Sequence, residues 1–377
     1  EYAFDKLDHV YAPEFATGAM ENVGLIVYNE SYLPRSTPTP SDITDIGECV
    51  LHEIAHMWFG NLVTMRWWDD LWLNESFATY VSYLCLTEGS DYPGAWRQFN
   101  VQLKRWALVE DDAPTTHPIA GTVADTDQTF LNFDGITYGK GGAVLKQLAA
   151  RLGRAGFSAG LRLHFQRHAF GNATLADFVA SLQEGSGVDL RSWTEQWLQT
   201  SGPSRIAVRA EPEGGAILER LQLVQEPASG DPVLREQLVR VGLVRRGPDG
   251  ALAIDARDVL IEGATAEVPG VAGMARPLAI VPNLDDLAVG KIDLDPATLD
   301  FAARRLEEIP DGLLRQVVWS ALWELVRDGR LALADYAAIL LDRLVEEPDS
   351  EIVQQVVEST VSPLLNWLPD EIGRAHV

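Results

Sequence analysis

His52, Glu53 and His56 fall within the five-residue run His-Glu-Ile-Ala-His. On a helix this spacing brings two imidazoles to one face from adjacent turns, near enough to bind one cation, and neutral imidazole nitrogens suit zinc. Glu53, one position past the first imidazole, can face an open coordination position and take a proton from water there. Eighteen residues separate His56 from Glu75 in Trp72-Leu73-Asn74-Glu75, so a second helix can return a carboxylate as the third ligand. Two histidines and one glutamate leave the fourth position to water, the arrangement of a catalytic site. In a structural site protein closes all four. The competing reading is a surface helix of ordinary charged residues, and the paired spacing weighs against it. His9, His117, His164, His168 and His376 have no comparable partners and read as surface or packing residues.

The elements that must position these groups can be read from periodicity. Ile46, Val50, Ile54 and Met57 recur at three- and four-residue spacing, which predicts a helix of about 18 residues capped by Ser41 or Asp42 and ending near Gly60. Before it, residues 2–28 alternate short apolar runs with Pro13 and Gly18, the pattern of strands and a loop. After it, helices are predicted over 71–86, 95–109, 138–152, 155–168, 175–184 and 190–200. Ser201-Gly202-Pro203 breaks this series. Short alternating runs at 207–210, 218–225, 236–244 and 259–261, punctuated by Gly214-Gly215 and Pro269-Gly270, predict a small β-sandwich over 201–294. Helical periodicity returns at 297–307, 312–327, 333–344 and 351–367, in a region 295–370 that resembles the start of a helical solenoid. The fold class expected is multidomain α+β.

The 377 residues carry 55 acidic and 30 basic side chains, a net charge of −25. No nucleic acid is expected as a partner, because phosphate recognition needs a basic face. Most of the acidic surplus is expected to form a solvated surface, screened within about 8–10 Å at physiological salt. No run approaches the roughly 20 apolar residues that span a bilayer, so no membrane is expected in this segment. Cys49 and Cys85 are too few for a disulfide framework, and with the acidity they tilt the expected location toward a cytoplasm. Residues 371–377 resemble a translated sequencing adapter and are expected to be a non-native tail.

The stretch from His52 to Ala78 resembles the zinc-binding segment of the aminopeptidase N family of gluzincin metallopeptidases. Upstream, Gly18-Ala19-Met20-Glu21-Asn22 is similar, letter for letter, to that family's exopeptidase motif. The resemblance implies a thermolysin-like, mainly helical catalytic domain over 1–200, one Zn2+ per chain held by His52, His56 and Glu75, and Glu53 as general base. It implies that Glu21 binds the free ammonium of a peptide substrate while the backbone of Gly18 and Ala19 runs beside it, with Met20 and Asn22 completing the binding motif. Asp134 to Gly141 resembles the segment that carries the family's catalytic tyrosine, which makes Tyr138 the expected donor to the oxyanion. By the same resemblance the chain is a fragment lacking an N-terminal domain and most of a C-terminal helical domain. Substrates would be peptides with a free N-terminus; the preferred first residue and oligomeric state are not legible.

Two other readings stay open at this level. A thermolysin-like endopeptidase would use the same His52, Glu53, His56 and Glu75, and Glu21 is what discriminates against it. A non-catalytic helical scaffold would have no chemical reason to keep Glu53. Trp67, Trp68 and Trp72 are expected to be core beneath the zinc helix rather than a substrate platform.

Overall fold

The computed structural model describes residues 2–92, 94–248 and 250–367; the tail expected at 371–377, and His376 with it, lies outside the described residues. The chain forms a mixed helix-and-sheet structure of two compact units, one of residues 1–99 and 106–202, the other of 100–105 and 203–377.

The first unit opens with three strands, β1 (Asp8–Ala12), β2 (Ala19–Met20) and β3 (Leu25–Asn29), in the order β1-β3-β2. Only β3 is central; Ile26 and Tyr28 are its buried face. Helix α1 (Pro40–Ala55) follows. Its cap is Thr39, not Ser41 or Asp42. The Thr39 hydroxyl accepts from the Asp42 amide while the Asp42 carboxylate accepts from the Thr39 amide, and Pro40 occupies the first turn, where a missing N–H costs nothing. The helix is also shorter than its apolar repeat suggests, because the chain after Ala55 turns back on itself, with Asn61 and Leu62 donating to the carbonyls of His56 and Met57.

A short strand β4 (Val63–Met65) leads to α2 (Trp72–Gly89), which is buried on nearly every side and packs against α1. Residues 95–111 run as α3 (Ala95–Phe99), a π-turn (Asn100–Lys104) and α4 (Arg105–Asp111), where periodicity predicts one helix. A one-turn α5 (Thr126–Phe130) precedes the long α6 (Gly141–His168), which is broken at Gly153 (φ 69°), as the two predicted helices require. Strand β5 (Gly171–Ala173), paired in parallel with β4, and helices α7 (Leu175–Ser186) and α8 (Arg191–Leu198) complete the unit. Its core is aromatic: Phe59 stacks on Phe77 at 4.0 Å, and Phe77 meets Phe178 edge-on at 5.0 Å. Trp72 joins this core as expected, but Trp67 is 45% exposed, its indole N–H donating to the Val123 carbonyl.

His164 of α6 lies against this aromatic cluster, buried, with Nδ1 lacking a partner among the described residues. Burial, reinforced by His168, pushes its pKa down to about 4. The folded value lies below the unfolded value of about 6.5, so stability is fully present above pH 6.5 and is lost as pH falls toward 4. Linkage gives a loss of about 2 kcal/mol between pH 7.5 and 5 from this residue. Urea unfolding of wild type and His164→Phe at both pH values should show the wild type losing that much more; equal losses would refute it.

In the second unit a four-stranded sheet orders Thr265–Glu267, Arg220–Pro227, Ser204–Glu211 and Gly290–Ile292, and a three-stranded sheet orders Ala279–Val281, Gln237–Arg246 and Leu252–Ile261. The three-residue strands escape a periodicity reading because they are too short to alternate. Both sheets and the helices from Pro296–Arg305 onward share one apolar core, with Leu223, Val241, Phe301 and Trp323 among its members. Among the described residues no helix is long and apolar enough to cross a membrane.

Candidate metal and peptide site

His52 occupies the last turn of α1, His56 caps its C-terminus, and Glu75 lies in the first turn of α2. Glu75 Oε2 stands 3.3 Å from His52 Nε2 and 3.5 Å from His56 Nε2. Ligands about 2.0–2.1 Å from a tetrahedral metal lie about 3.3–3.4 Å from one another, so these three atoms span one face of a zinc-sized tetrahedron. The imidazoles are held for that purpose. His56 Nδ1 faces two acceptors, the Phe59 carbonyl at 3.0 Å and Asn74 Oδ1 at 2.8 Å, so Nδ1 carries the proton and Nε2 keeps its lone pair toward Glu75. His52 Nδ1 faces the Glu48 carboxylate at 3.8 Å, itself held by the Ser82 hydroxyl.

The field at this point favours a cation. Burial pushes the His56 pKa down, but the carboxylates of Glu75, Glu21 and Glu53 more than offset it and hold the imidazole well above its ordinary value. Burial likewise pushes Glu75 up, and the two imidazoles more than reverse that, holding it below the usual carboxylate range. A proton on the imidazoles thus satisfies the charge that a divalent ion would satisfy better.

Glu53 lies beside the triad, with Oε2 buried and without a hydrogen-bond partner among the described residues. Burial pushes its pKa up to about 7, partly offset by His52 and His56 and reinforced by Glu21 and Glu75. Glu21 closes the other side: ligand atoms of Glu21, Glu53 and His56 lie within 4.8 Å of one another. It follows directly on β2, whose outer edge is unpaired, since β2 bonds only to β3. Gly18 hydrogen-bonds through its carbonyl to Asn29, Ala19 and Met20 pair with Tyr28 and Val27, and the exposed Asn22 closes a turn to Leu25. An extended peptide can lie along that free edge with its amine toward Glu21.

Tyr138 sits in a π-turn (Ile136–Lys140) at the head of α6, its ring stacked on His52 at 6.0 Å and on Trp106 at 6.2 Å. Burial, then the carboxylates of Glu75, Glu21 and Glu53, raise its pKa far above 10, so it remains a phenol and a donor. The turn admits α2 closely: a Cβ at Gly141 would fall 2.0 Å from Ser76 Oγ, which donates to the Thr137 carbonyl at 2.6 Å.

Several residues that complete the site carry no signal in the sequence reading. Asn74 accepts from His56 and donates to Glu21 Oε1 at 3.2 Å and to Glu75 Oε1 at 3.3 Å, and Asn61 donates to the Glu21 carbonyl at 2.7 Å. Gly60, with φ 116°, must be glycine here, because a Cβ would sit 2.2 Å from Asn74 Oδ1. The only hint was that Asn74 directly precedes Glu75 and that Gly60-Asn61 follows the helix.

The peptidase family M1 domain matches residues 1–197. The chain is 40% identical to the aminopeptidase N of Streptomyces lividans over 364 residues, which cover 94% of this chain and 42% of that protein. It is 37% identical over 212 residues to the glutamyl aminopeptidase of Bos taurus, covering 53% of this chain and 21% of that one. Against the leucyl aminopeptidase of Saccharolobus solfataricus it is 36% identical over 208 residues, covering 55% and 26% respectively. The chain thus spans less than half the length of these relatives. With a family domain matched across more than half of its residues, the chain belongs to peptidase family M1.

Proposed function

We propose that the protein is a zinc aminopeptidase that removes the N-terminal residue from peptides, with one Zn2+ held by His52, His56 and Glu75. The donor set and its spacing fit that ion. Bound there, zinc supplies Lewis acidity toward the scissile carbonyl and toward water. The chain's own groups do the rest. The unpartnered Glu53 Oε2 accepts the proton of the attacking water and returns it to the leaving amine. Tyr138 donates its phenolic hydrogen to the developing oxyanion. Glu21 accepts hydrogen bonds from the substrate ammonium and fixes the register at one residue, while the backbone of Gly18 and Ala19 and the side chains of Met20 and Asn22 border the bound chain.

The observation that carries this reading is the convergence of Glu21 with Glu53 and His56 at the free edge of β2. A carboxylate there gives an endopeptidase nothing to bind, whereas an aminopeptidase needs it. On the same grounds we assign 1–200 to a thermolysin-like catalytic domain, 201–294 to a β-sandwich and 295–370 to the beginning of a helical domain. The names of the relatives support peptide substrates with a free amine.

Hydrolysis of alanyl and N-acetyl-alanyl anilides by the full-length protein, with and without a chelator, tests the reading. Chelator-sensitive cleavage of the free-amine substrate alone is expected. Cleavage of both would indicate an endopeptidase-like site, and cleavage of neither with zinc bound would indicate a scaffold.

A further inference from the structure

His117 was read from the sequence as a surface or packing residue, yet both of its ring nitrogens are engaged. Nδ1 lies 2.8 Å from the Pro118 carbonyl and Nε2 lies 2.6 Å from Asp134 Oδ2. A carbonyl oxygen can only accept, so Nδ1 carries a proton. Asp134 Oδ1 already accepts from the amides of Ile136 at 3.0 Å and Thr137 at 2.9 Å, which favours the ionised carboxylate, so Nε2 donates as well. His117 is therefore an imidazolium, paired with a carboxylate.

That carboxylate is the cap of the turn holding Tyr138. Besides the two side-chain bonds, the Asp134 carbonyl accepts from the Tyr138 amide at 3.0 Å. Glu110 holds the next residue, accepting from the Gly135 amide at 2.6 Å through one oxygen and from the Trp106 indole at 2.6 Å through the other. A Cβ at Gly135 would lie 2.9 Å from the Trp106 backbone, so the turn cannot slide that way. Asp134 is the point at which it can rotate, and His117 is what fixes Asp134.

We propose that the His117–Asp134 ion pair positions Tyr138, placing its hydroxyl over the metal site only while His117 is doubly protonated. The inference rests on the role proposed for Tyr138. When His117 loses a proton, one nitrogen presents a lone pair to an oxygen at under 3 Å, and either the Pro118 or the Asp134 contact must open. The charged groups facing the imidazole are Asp134 and Lys140, and Lys140 is itself paired with Asp111 at 2.8 Å. Burial opposes the charged form, but the bonds to Asp134 and Pro118 outweigh it and hold the pKa above its ordinary value. Raising the pH therefore releases the turn, and kcat falls on the alkaline side.

Two measurements test this. Imidazole 15N spectra of the metal-free protein at pH 7, assigned with His117→Gln, should show both His117 nitrogens protonated. In the metal-loaded protein His117→Ala should lower kcat by about 10- to 30-fold, the scale of a small misplacement. KM should stay within about twofold, and the affinity for a phosphinic peptide analogue that mimics the tetrahedral intermediate should fall by the same factor as kcat. His117→Gln, which can still donate one bond to Asp134, should recover part of the loss and lack the alkaline limb. One unprotonated ring nitrogen in the wild type would overturn the proposal. So would an unchanged kcat in His117→Ala, or a loss shared equally by KM, metal content and thermal midpoint. The spectrum needs no turnover, so a wild type that cleaves nothing would sink the aminopeptidase reading and leave this inference to be decided separately.

Discussion

Glu53→Gln should lose turnover by about 10³-fold or more while retaining zinc, because the substitution removes the base and leaves the three ligand atoms in place. The amide is the same shape and size as the carboxylate it replaces, so packing in this buried position is undisturbed. Stability should hold or rise slightly, since burial disfavours the charged carboxylate, an effect seen in its pKa near 7. KM should change little, as Glu53 holds no part of the substrate in the ground state. The distinguishing measurement is the pair of kcat and zinc content on one preparation. A near-normal rate with zinc bound would assign the base elsewhere, and loss of zinc with loss of rate would mean that Glu53 supports the metal rather than the proton transfer.

What the sequence disclosed of this site followed from locality. His52, Glu53 and His56 share two turns of one helix, and Glu75 opens the next, so their meeting is dictated by helical period and a short connection. Glu21 and Tyr138 were legible only through resemblance, because nothing local says that β2 and the turn before α6 approach α1. The cap of α1 was misplaced for a specific reason: Ser41, Asp42 and Thr39 are all competent caps, and what decides is Pro40, which fits the first turn and makes its predecessor the cap.

The residues that sequence reading missed are those whose partners are distant in the chain. Asn74 bridges to Glu21 across 53 positions, and His117 meets Asp134 across 17. Each is a common polar residue whose meaning lies in where its second hydrogen bond goes. The same holds for β4 and β5, three residues each, whose pairing links Val63 to Gly171 and which no alternation could announce. The longer strands Gln237–Arg246 and Arg220–Pro227 were visible because each presents buried residues at a repeated spacing.

Tyr138→Phe should lower kcat by about 10²- to 10³-fold with KM close to the wild-type value, the loss expected for one hydrogen-bond donor to an oxyanion. The substitution is unusually clean here. The ring is fixed from both sides, by His52 and by Trp106, and those stacking contacts need no hydroxyl. The turn beneath is held by backbone amides to Asp134 and by Ser76 to the Thr137 carbonyl, none of which involve the phenol. Rate loss therefore reports the hydroxyl itself. Because the phenol donates only to charge that develops in the transition state, affinity for a phosphinic analogue should fall in step with kcat, while affinity for the product amino acid should not. The effect should also be smaller than that of Glu53→Gln, since the metal can still share the oxyanion whereas no second group stands ready to accept the proton. A Tyr138→Phe protein within about threefold of wild type would remove the hydroxyl from the mechanism, and with it the role proposed for His117 and Asp134.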